Sequence, residues 1–263
     1  MKKPVKISVV MACFNEVQYI RRAIESILQQ SFYEFEFIIV DDASTDATYS
    51  ICESYAKKDD RVRLFRRKEH FGFCAAPLNE AISYARADMV ARMDADDYSH
   101  PQRLQRQYDF LQQHPEVDIL GTAVRLIAKK DGQVIGDYFY KEKHEDILKD
   151  RYYKTMFSHP TVMLRKKVYE QLNGYDEQVG RSEDIDFWLR AYPHFRFHNL
   201  QEVLLDFSVR SEKKLYSEYR TFKNNIDVKW RAMKRNGEVW KNAPALVRQY
   251  LLFFYYRFLR GNR

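Results

Sequence analysis

The chain has 263 residues, 45% of them hydrophobic and 31% charged, which excludes disordered and fibrous classes and suits one large α/β domain with an appendage. Its three cysteines, Cys13, Cys52 and Cys74, are far apart and odd in number, a pattern of neither a zinc knuckle nor a disulfide framework and one that suits a reducing compartment. The formal charge of +7 is uneven: residues 210–263 hold 14 Lys or Arg against 4 Asp or Glu, a local +10 that leaves −3 on the first 209.

The first hundred residues alternate apolar strand-like runs with amphipathic helices. Ile7 to Met11 reads as a buried strand, and Tyr19 to Gln30 places Ile20, Ala23, Ile24, Ile27 and Leu28 on one helical face. Phe35 to Val40 is a second strand, followed by a helix from Thr45 to Ala56 that Ser44 or Thr45 can cap. Val62 to Phe65, a helix from Cys74 to Ala85, and Met89 to Met93 continue a βαβαβαβ rhythm, the signature of a parallel sheet covered by helices. Pro101 then opens a helix to Gln113, Ile119 to Ile127 is a strand, and Asp131-Gly132 marks a hairpin. His159 to Leu164, read as a strand, a helix from Lys166 to Leu172, an Asn173-Gly174 turn and a helix from Glu183 give an α+β second half. Trp188, with Phe187 and Leu189, reads as packing of that last helix in preference to a sugar-stacking surface, and the tail is helical and basic.

Ligands of open parallel sheets bind beyond the carboxyl ends of the strands. Two of the four strand ends here carry clusters of acid, Asp41-Asp42 and Asp94-Ala95-Asp96-Asp97. Adjacent carboxylates repel one another, and a hard divalent ion such as Mg²⁺ or Mn²⁺ compensates them, completing its shell with substrate phosphates and water. Asp42 either caps the next helix with Ser44 or accepts hydrogen bonds from a nucleotide base or ribose. Phe14, at the tip of the first loop, either stacks on a base or packs inward.

Several of these segments occur in a fixed order: VKISVVMACFNE, FIIVDDASTDAT, ARMDADD, His159-Pro160, Asn173-Gly174-Tyr175-Asp176, and Glu183-Asp184 before Phe187-Trp188. Over residues 5 to 210 this order resembles the family 2 glycosyltransferases. The resemblance implies a GT-A fold, in which a Rossmann-like parallel-sheet, nucleotide-binding half (residues 1–100) merges with an α+β acceptor half (residues 101–210), followed by a basic helical extension (residues 211–263). It also implies inverting transfer from a UDP-sugar, with Mg²⁺ or Mn²⁺, to a saccharide or polyprenyl-linked acceptor. Ala12, Phe14, Glu16 and Asp42 then hold the nucleotide, Asp94 approaches ribose or metal, and Asp96 ligates the metal. Asp184 matches the general base, with Glu183 in the acceptor region. His159, just before Pro160, is either an acceptor-site residue or a hydrogen-bonded structural position. Two positions depart from the family pattern: His70 stands where Asn is frequent, and Phe207-Ser208-Val209-Arg210 replaces a Tyr-Arg-x-His run, so that Arg210 takes the diphosphate.

Rival classes are a sugar-nucleotide nucleotidyltransferase, whose glycine-rich phosphate loop is missing from ACFNE, and a phosphoacceptor receiver domain, which leaves Asp94, Asp96, Glu183 and Asp184 without roles. The basic tail lacks a nucleic-acid motif, and nucleic acid is not an expected partner. Its apolar residues Leu246, Val247, Tyr250, Leu251, Phe253, Phe254, Phe258 and Leu259, interspersed with Arg248, Arg257, Arg260 and Arg263, suit a helix lying on an anionic membrane surface or packed on the core. The run from Leu251 to Tyr256 is far short of the roughly 20 residues a spanning helix needs, and the N-terminus reads as a strand, not a signal peptide. A cytoplasmic, peripheral protein on the inner membrane face is the expectation.

Overall fold

The structure is a computed structural model that describes residues 4–209 and 215–254. Strands β1 (Ile7–Cys13), β2 (Phe35–Asp41), β3 (Val62–Arg66) and β4 (Met89–Asp94) pair in parallel in the spatial order β3-β2-β1-β4. Helices α1 (Ile20–Leu28), α2 (Thr48–Ala56) and α3 (Ala75–Ser83) connect them. These strands read as unbroken apolar runs because both faces are covered. Ile7, Val9 and Met11 join one core layer with Ile20, Ile24 and Ile27 of α1, whereas Val10, Ile38, Val40 and Val90 join the other with Leu78 and Ala81 of α3.

The sheet does not stop at β4. The chain continues through β5 (Tyr98–Ser99), α4 (Arg103–Gln113), β6 (Ile119–Ala128), β7 (Val134–Tyr138), α5 (His144–Lys149), β8 (Met163–Arg165), α6 (Lys166–Leu172), α7 (Glu183–Ala191) and β9 (Phe197–Val209). Strand β8 pairs antiparallel to β4 and β6, and β9 runs parallel to β6, giving a nine-stranded sheet in the order β3-β2-β1-β4-β8-β6-β9-β5 with β7 hairpinned to β6. Both halves therefore share one mixed sheet.

Three expectations change. The segment from His159 begins with a 3-10 turn, His159–Thr161, and only Met163–Arg165 is strand. Pro160 has no N–H to give a ladder, and the carbonyls of Pro160 and Thr161 accept instead from Arg103 Nη1 at 2.9 Å and Gln107 Nε2 at 2.8 Å. Ser44 and Thr45 do not cap α2, which starts at Thr48 with the Thr48 amide donating to Asp46 Oδ1 at 2.9 Å. Finally, β9 was not anticipated. Its alternation is broken where the register with β6 shifts, after Thr122, and a strand bulged in this way loses the period-two signal.

In the tail, α8 (Leu215–Arg235) and α9 (Val239–Phe254) pack on the second half. Ile226, Val228, Ala232, Met233, Ala245 and Leu246 join the core that holds Phe187 and Trp188, and Arg235 Nη2 donates to the Leu189 carbonyl of α7 at 2.9 Å. Leu246 thus turns inward. Trp240, Val247, Tyr250, Leu251 and Phe254 are exposed at helical spacing. The side chain of Phe253 and all of Phe258, Leu259, Arg257, Arg260 and Arg263 lie outside the described residues, as does Arg210. No helix among the described residues is long and apolar enough to cross a membrane.

Candidate active site

Parallel pairing puts the acidic strand ends side by side: Cys13 is in register with Asp41, and Ala12 with Asp94. The loops after β1 and β2 are then tied to each other. Ser44 Oγ accepts from the Asn15 amide at 3.0 Å, Thr48 Oγ1 accepts from the Glu16 amide at 2.9 Å, and Asn15 Oδ1 accepts from the Thr45 amide at 2.8 Å. Asn15 and Ala43 hold positive φ, 54° and 61°, backbone strain of the kind that recurs at ligand sites.

Asp41 is structural: it is fully buried and accepts from the Ser44 amide at 3.0 Å. Asp42 faces a cavity of about 330 Å³ lined by Ala12, Phe14, His70, Cys74 and Arg181 among others. Its carboxylate meets His70 Nδ1 at 2.7 Å, the Phe71 amide at 3.0 Å and Arg67 Nε at 2.9 Å. His70 also stacks on Phe14, with ring centroids 3.6 Å apart and planes 12° from parallel. One face of Phe14 is therefore covered by His70, which lines this cavity together with Asp42.

At the end of β4, Asp94, Asp96 and Asp97 bring one carboxylate oxygen each within 4.8 Å of one another. Asp94 pairs with the buried guanidinium of Arg92, and Asp96 Oδ2 meets Lys129 Nζ at 2.7 Å. Lys129 also reaches Glu16 Oε2, at 3.2 Å. Asp97 is 1% exposed; its Oδ1 accepts from the Ser208 amide of β9 at 2.7 Å, while its Oδ2 has no hydrogen-bond partner among the described residues. Burial, then the charges of Asp94 and Asp96, push the Asp97 carboxyl well above the ordinary range. A buried, half-partnered carboxylate beside two others is a donor set that matches a hard divalent cation.

The α7 acids approach the same place from the other side. Glu183 is 7% exposed, meets Cys74 Sγ at 2.8 Å through Oε1, and leaves Oε2 without a hydrogen-bond partner among the described residues. Asp184 Oδ1 accepts from the Ile185 amide at 2.8 Å. Burial first, and then the charge of Glu183, push the Asp184 carboxyl up to about 7. Asp186, the third acid of this turn, is taken by Arg190 Nε at 2.6 Å.

Arg92 joins the two groups electrostatically. Its charge acts on Asp94, Asp97, Glu183 and Asp184, and although burial works against it, Asp94 and its neighbours hold its own pKa above normal. An arginine inside the otherwise apolar run Met89 to Met93 was the legible signal for it, since a buried charge must be paired. Lys129 gave no such signal, because a lysine before Asp131-Gly132 looks like an ordinary hairpin charge.

His159 lies behind this centre. It is buried, its Nε2 meets Tyr175 Oη at 2.8 Å, and Tyr175 Oη meets Tyr169 Oη at 2.7 Å. Burial, with Arg92, holds the His159 imidazole well below its usual pKa and therefore neutral. Trp188 is fully buried with its ring edge-on to Phe157 and His159, which makes it a packing residue.

A mixed α/β sheet with acids gathered at its parallel strand ends and a second acidic turn facing them is the plan of GT-A glycosyltransferases. The sequence model described as "Glycosyl transferase family 2" matches residues 8–172, and the chain belongs to that family and is a glycosyltransferase. EpsE of Bacillus subtilis (strain 168) is 38% identical over 226 residues, covering 84% of this chain and 78% of that protein. The O-antigen biosynthesis glycosyltransferase WbnJ of Escherichia coli is 34% identical over 212 residues, 78% of this chain and 80% of WbnJ. Among solved structures, S. aureus TarS 1-349 in complex with UDP-GlcNAc superposes with a TM-score of 0.67 at 22% identity, covering 85% of this chain and 66% of that one. The nucleotidyltransferase and receiver-domain readings fall with the family assignment.

Proposed function

We propose that this glycosyltransferase transfers a hexose or N-acetylhexosamine from a UDP-sugar to a hydroxyl of a saccharide or lipid-linked saccharide, with inversion, in the synthesis of a surface glycan. The observation that carries this reading is the convergence of the cavity at Ala12, Phe14, Asp42 and Cys74, the Asp94-Asp96-Asp97 cluster, and half-buried Asp184, with the charge of Arg92 acting on Cys74, Asp94 and Asp184 alike. The names of the similar WbnJ and UDP-GlcNAc-bound TarS agree with it.

In this reading the cavity takes the nucleoside, with Asp42 and His70 at its base-facing side. Asp94 and Asp96, with the unpartnered oxygen of Asp97, would hold Mg²⁺ or Mn²⁺, which supplies Lewis-acid stabilisation to the departing diphosphate. Asp184 takes the proton of the acceptor hydroxyl as the oxygen–C1 bond forms and the C1–phosphate oxygen bond breaks, the electron pair leaving with UDP. Glu183 lies on the acceptor side, and buried His159 orders that wall through Tyr175. Residues 1–210 form the catalytic domain, with the nucleotide half in 1–100 and the acceptor half in 101–210. Residues 211–263 form an extension whose outward face meets an anionic membrane surface from the cytoplasmic side.

The test is release of UDP from UDP-galactose, UDP-glucose and UDP-N-acetylglucosamine, with NMR of the product. At least one donor is expected to turn over, to stop in excess chelator, to recover with Mn²⁺ or Mg²⁺, and to give a product of opposite anomeric configuration. Retained configuration, or full activity in chelator, contradicts the reading.

A further inference from the structure

The cluster at the end of β4 carries its own cation. Three carboxylates within 4.8 Å repel one another, and they are compensated unequally: Asp94 by Arg92, Asp97 by one backbone N–H, and Asp96 by Lys129 at 2.7 Å. Lys129 follows β6 and its side chain is only 10% exposed. Its main chain is fixed, since its amide donates to the Val209 carbonyl at 2.8 Å and its carbonyl accepts from Tyr19 Oη at 3.4 Å. The ammonium sits 4.2 Å from the centre of the Tyr19 ring and 3.2 Å from Glu16 Oε2. It can therefore leave Asp96 by rotation of the side chain alone, toward Glu16 and Tyr19, without moving the hairpin.

We propose that Lys129 is an internal counter-ion to the metal-binding carboxylates, which a divalent cation must displace from Asp96, with Glu16 and the Tyr19 ring as its alternative seat. An ammonium and a divalent ion on one carboxylate repel each other at short range and low dielectric. Metal binding to the nucleotide-free enzyme is thus opposed by Lys129, whereas a diphosphate brings negative charge that favours both cations. Metal and nucleotide binding become coupled, and by linkage each strengthens the other equally. This rests on the metal-site reading given above, and it assigns Lys129 and Glu16 a positioning role in place of a nucleotide contact for Glu16.

The test is Mn²⁺ titration followed by EPR of the free ion, on wild type, Lys129→Gln and Lys129→Arg, each with and without UDP. Without UDP, Lys129→Gln should bind Mn²⁺ about tenfold more tightly than wild type, the size of effect expected from removing one near charge, and the gain in Mn²⁺ affinity conferred by UDP should shrink by a similar factor. Lys129→Arg, which keeps the charge, should resemble wild type. Equal nucleotide-free Mn²⁺ affinity in Lys129→Gln and wild type overturns the proposal while leaving the metal site standing. Absence of Mn²⁺ binding by wild type even with UDP refutes the metal site itself. Lys129→Met serves as a second neutral variant should the glutamine disturb folding.

Discussion

A sugar hydroxyl is a poor nucleophile at neutral pH, so a base must both reach it and hold a pKa near the working pH. Asp184 has that character because burial, reinforced by Glu183, raises its carboxyl to about 7, against the opposing pull of Arg92. The charge of Asp184 acts in turn on Lys229 and Tyr140, raising the pKa of each. Since a base works only when deprotonated, transfer should fall as pH drops through about 7, by roughly tenfold per unit well below it. Asp184→Asn should lose this limb and lower transfer by roughly 10² or more, with UDP affinity changed only a few-fold. Steady-state pH profiles of both proteins and UDP titration by calorimetry check this; near-wild-type transfer by Asp184→Asn rejects Asp184 as the base. Asp184 itself is legible in the sequence, as the middle acid of an acidic turn before Phe187-Trp188. What was not legible is which of three acids is available: only the fold gives Asp186 to Arg190 and Glu183 to Cys74.

At the level of elements, β9 is the largest omission from a sequence reading and also the piece that supports the acidic cluster. Its end delivers the Ser208 amide to Asp97, and Ser208 Oγ donates to the Asp96 carbonyl at 2.5 Å. Strand β6 accepts β9 closely because residue 121 is glycine. A Cβ there would lie 2.2 Å from Asn199 Oδ1 and 2.6 Å from a Phe157 ring carbon. Asn199 is not free to give way, since its Nδ2 donates to the Lys141 carbonyl at 2.8 Å and the Met156 carbonyl at 3.1 Å. Gly121→Ala should therefore destabilise the fold by about 1–3 kcal/mol, the usual cost of overpacking. Urea unfolding measures it, and a loss below about 0.5 kcal/mol, the scale of an ordinary surface change, would mean that the strands part easily. Helix ends were read more closely than this strand, because local chemistry sets them: Asn173 and Gly174 both adopt positive φ, 55° and 71°, where α6 stops.

On the scale of the molecule, the tail divides its apolar residues between two surfaces. Ala245 and Leu246 are buried in the core, and Gln249 Nε2 donates to the Tyr152 carbonyl at 3.0 Å, so cutting the chain at residue 245 would remove core contacts. Val247, Tyr250, Leu251 and Phe254 face out, 57%, 48%, 65% and 50% exposed, an i, i+3, i+4, i+7 stripe of the kind that lies in a membrane interface. Replacing Val247, Leu251 and Phe254 together with serine should weaken sedimentation with anionic vesicles several-fold and leave transfer to a soluble acceptor unchanged. Equal vesicle binding by the variant and wild type argues against the membrane surface.

What the sequence determined by itself was the alternation of strand and helix, the acids at strand ends and the ordered motifs of the family. These are local: periodicity records which face of an element is buried, and turn chemistry records where it ends. Tertiary structure decided the partners. Lys129 between Asp96 and Glu16, His70 on Phe14, and β9 beneath Asp97 bring together residues 33 to 113 positions apart in the chain. Pairing at such separations follows from sheet order and register, which side-chain periodicity does not encode.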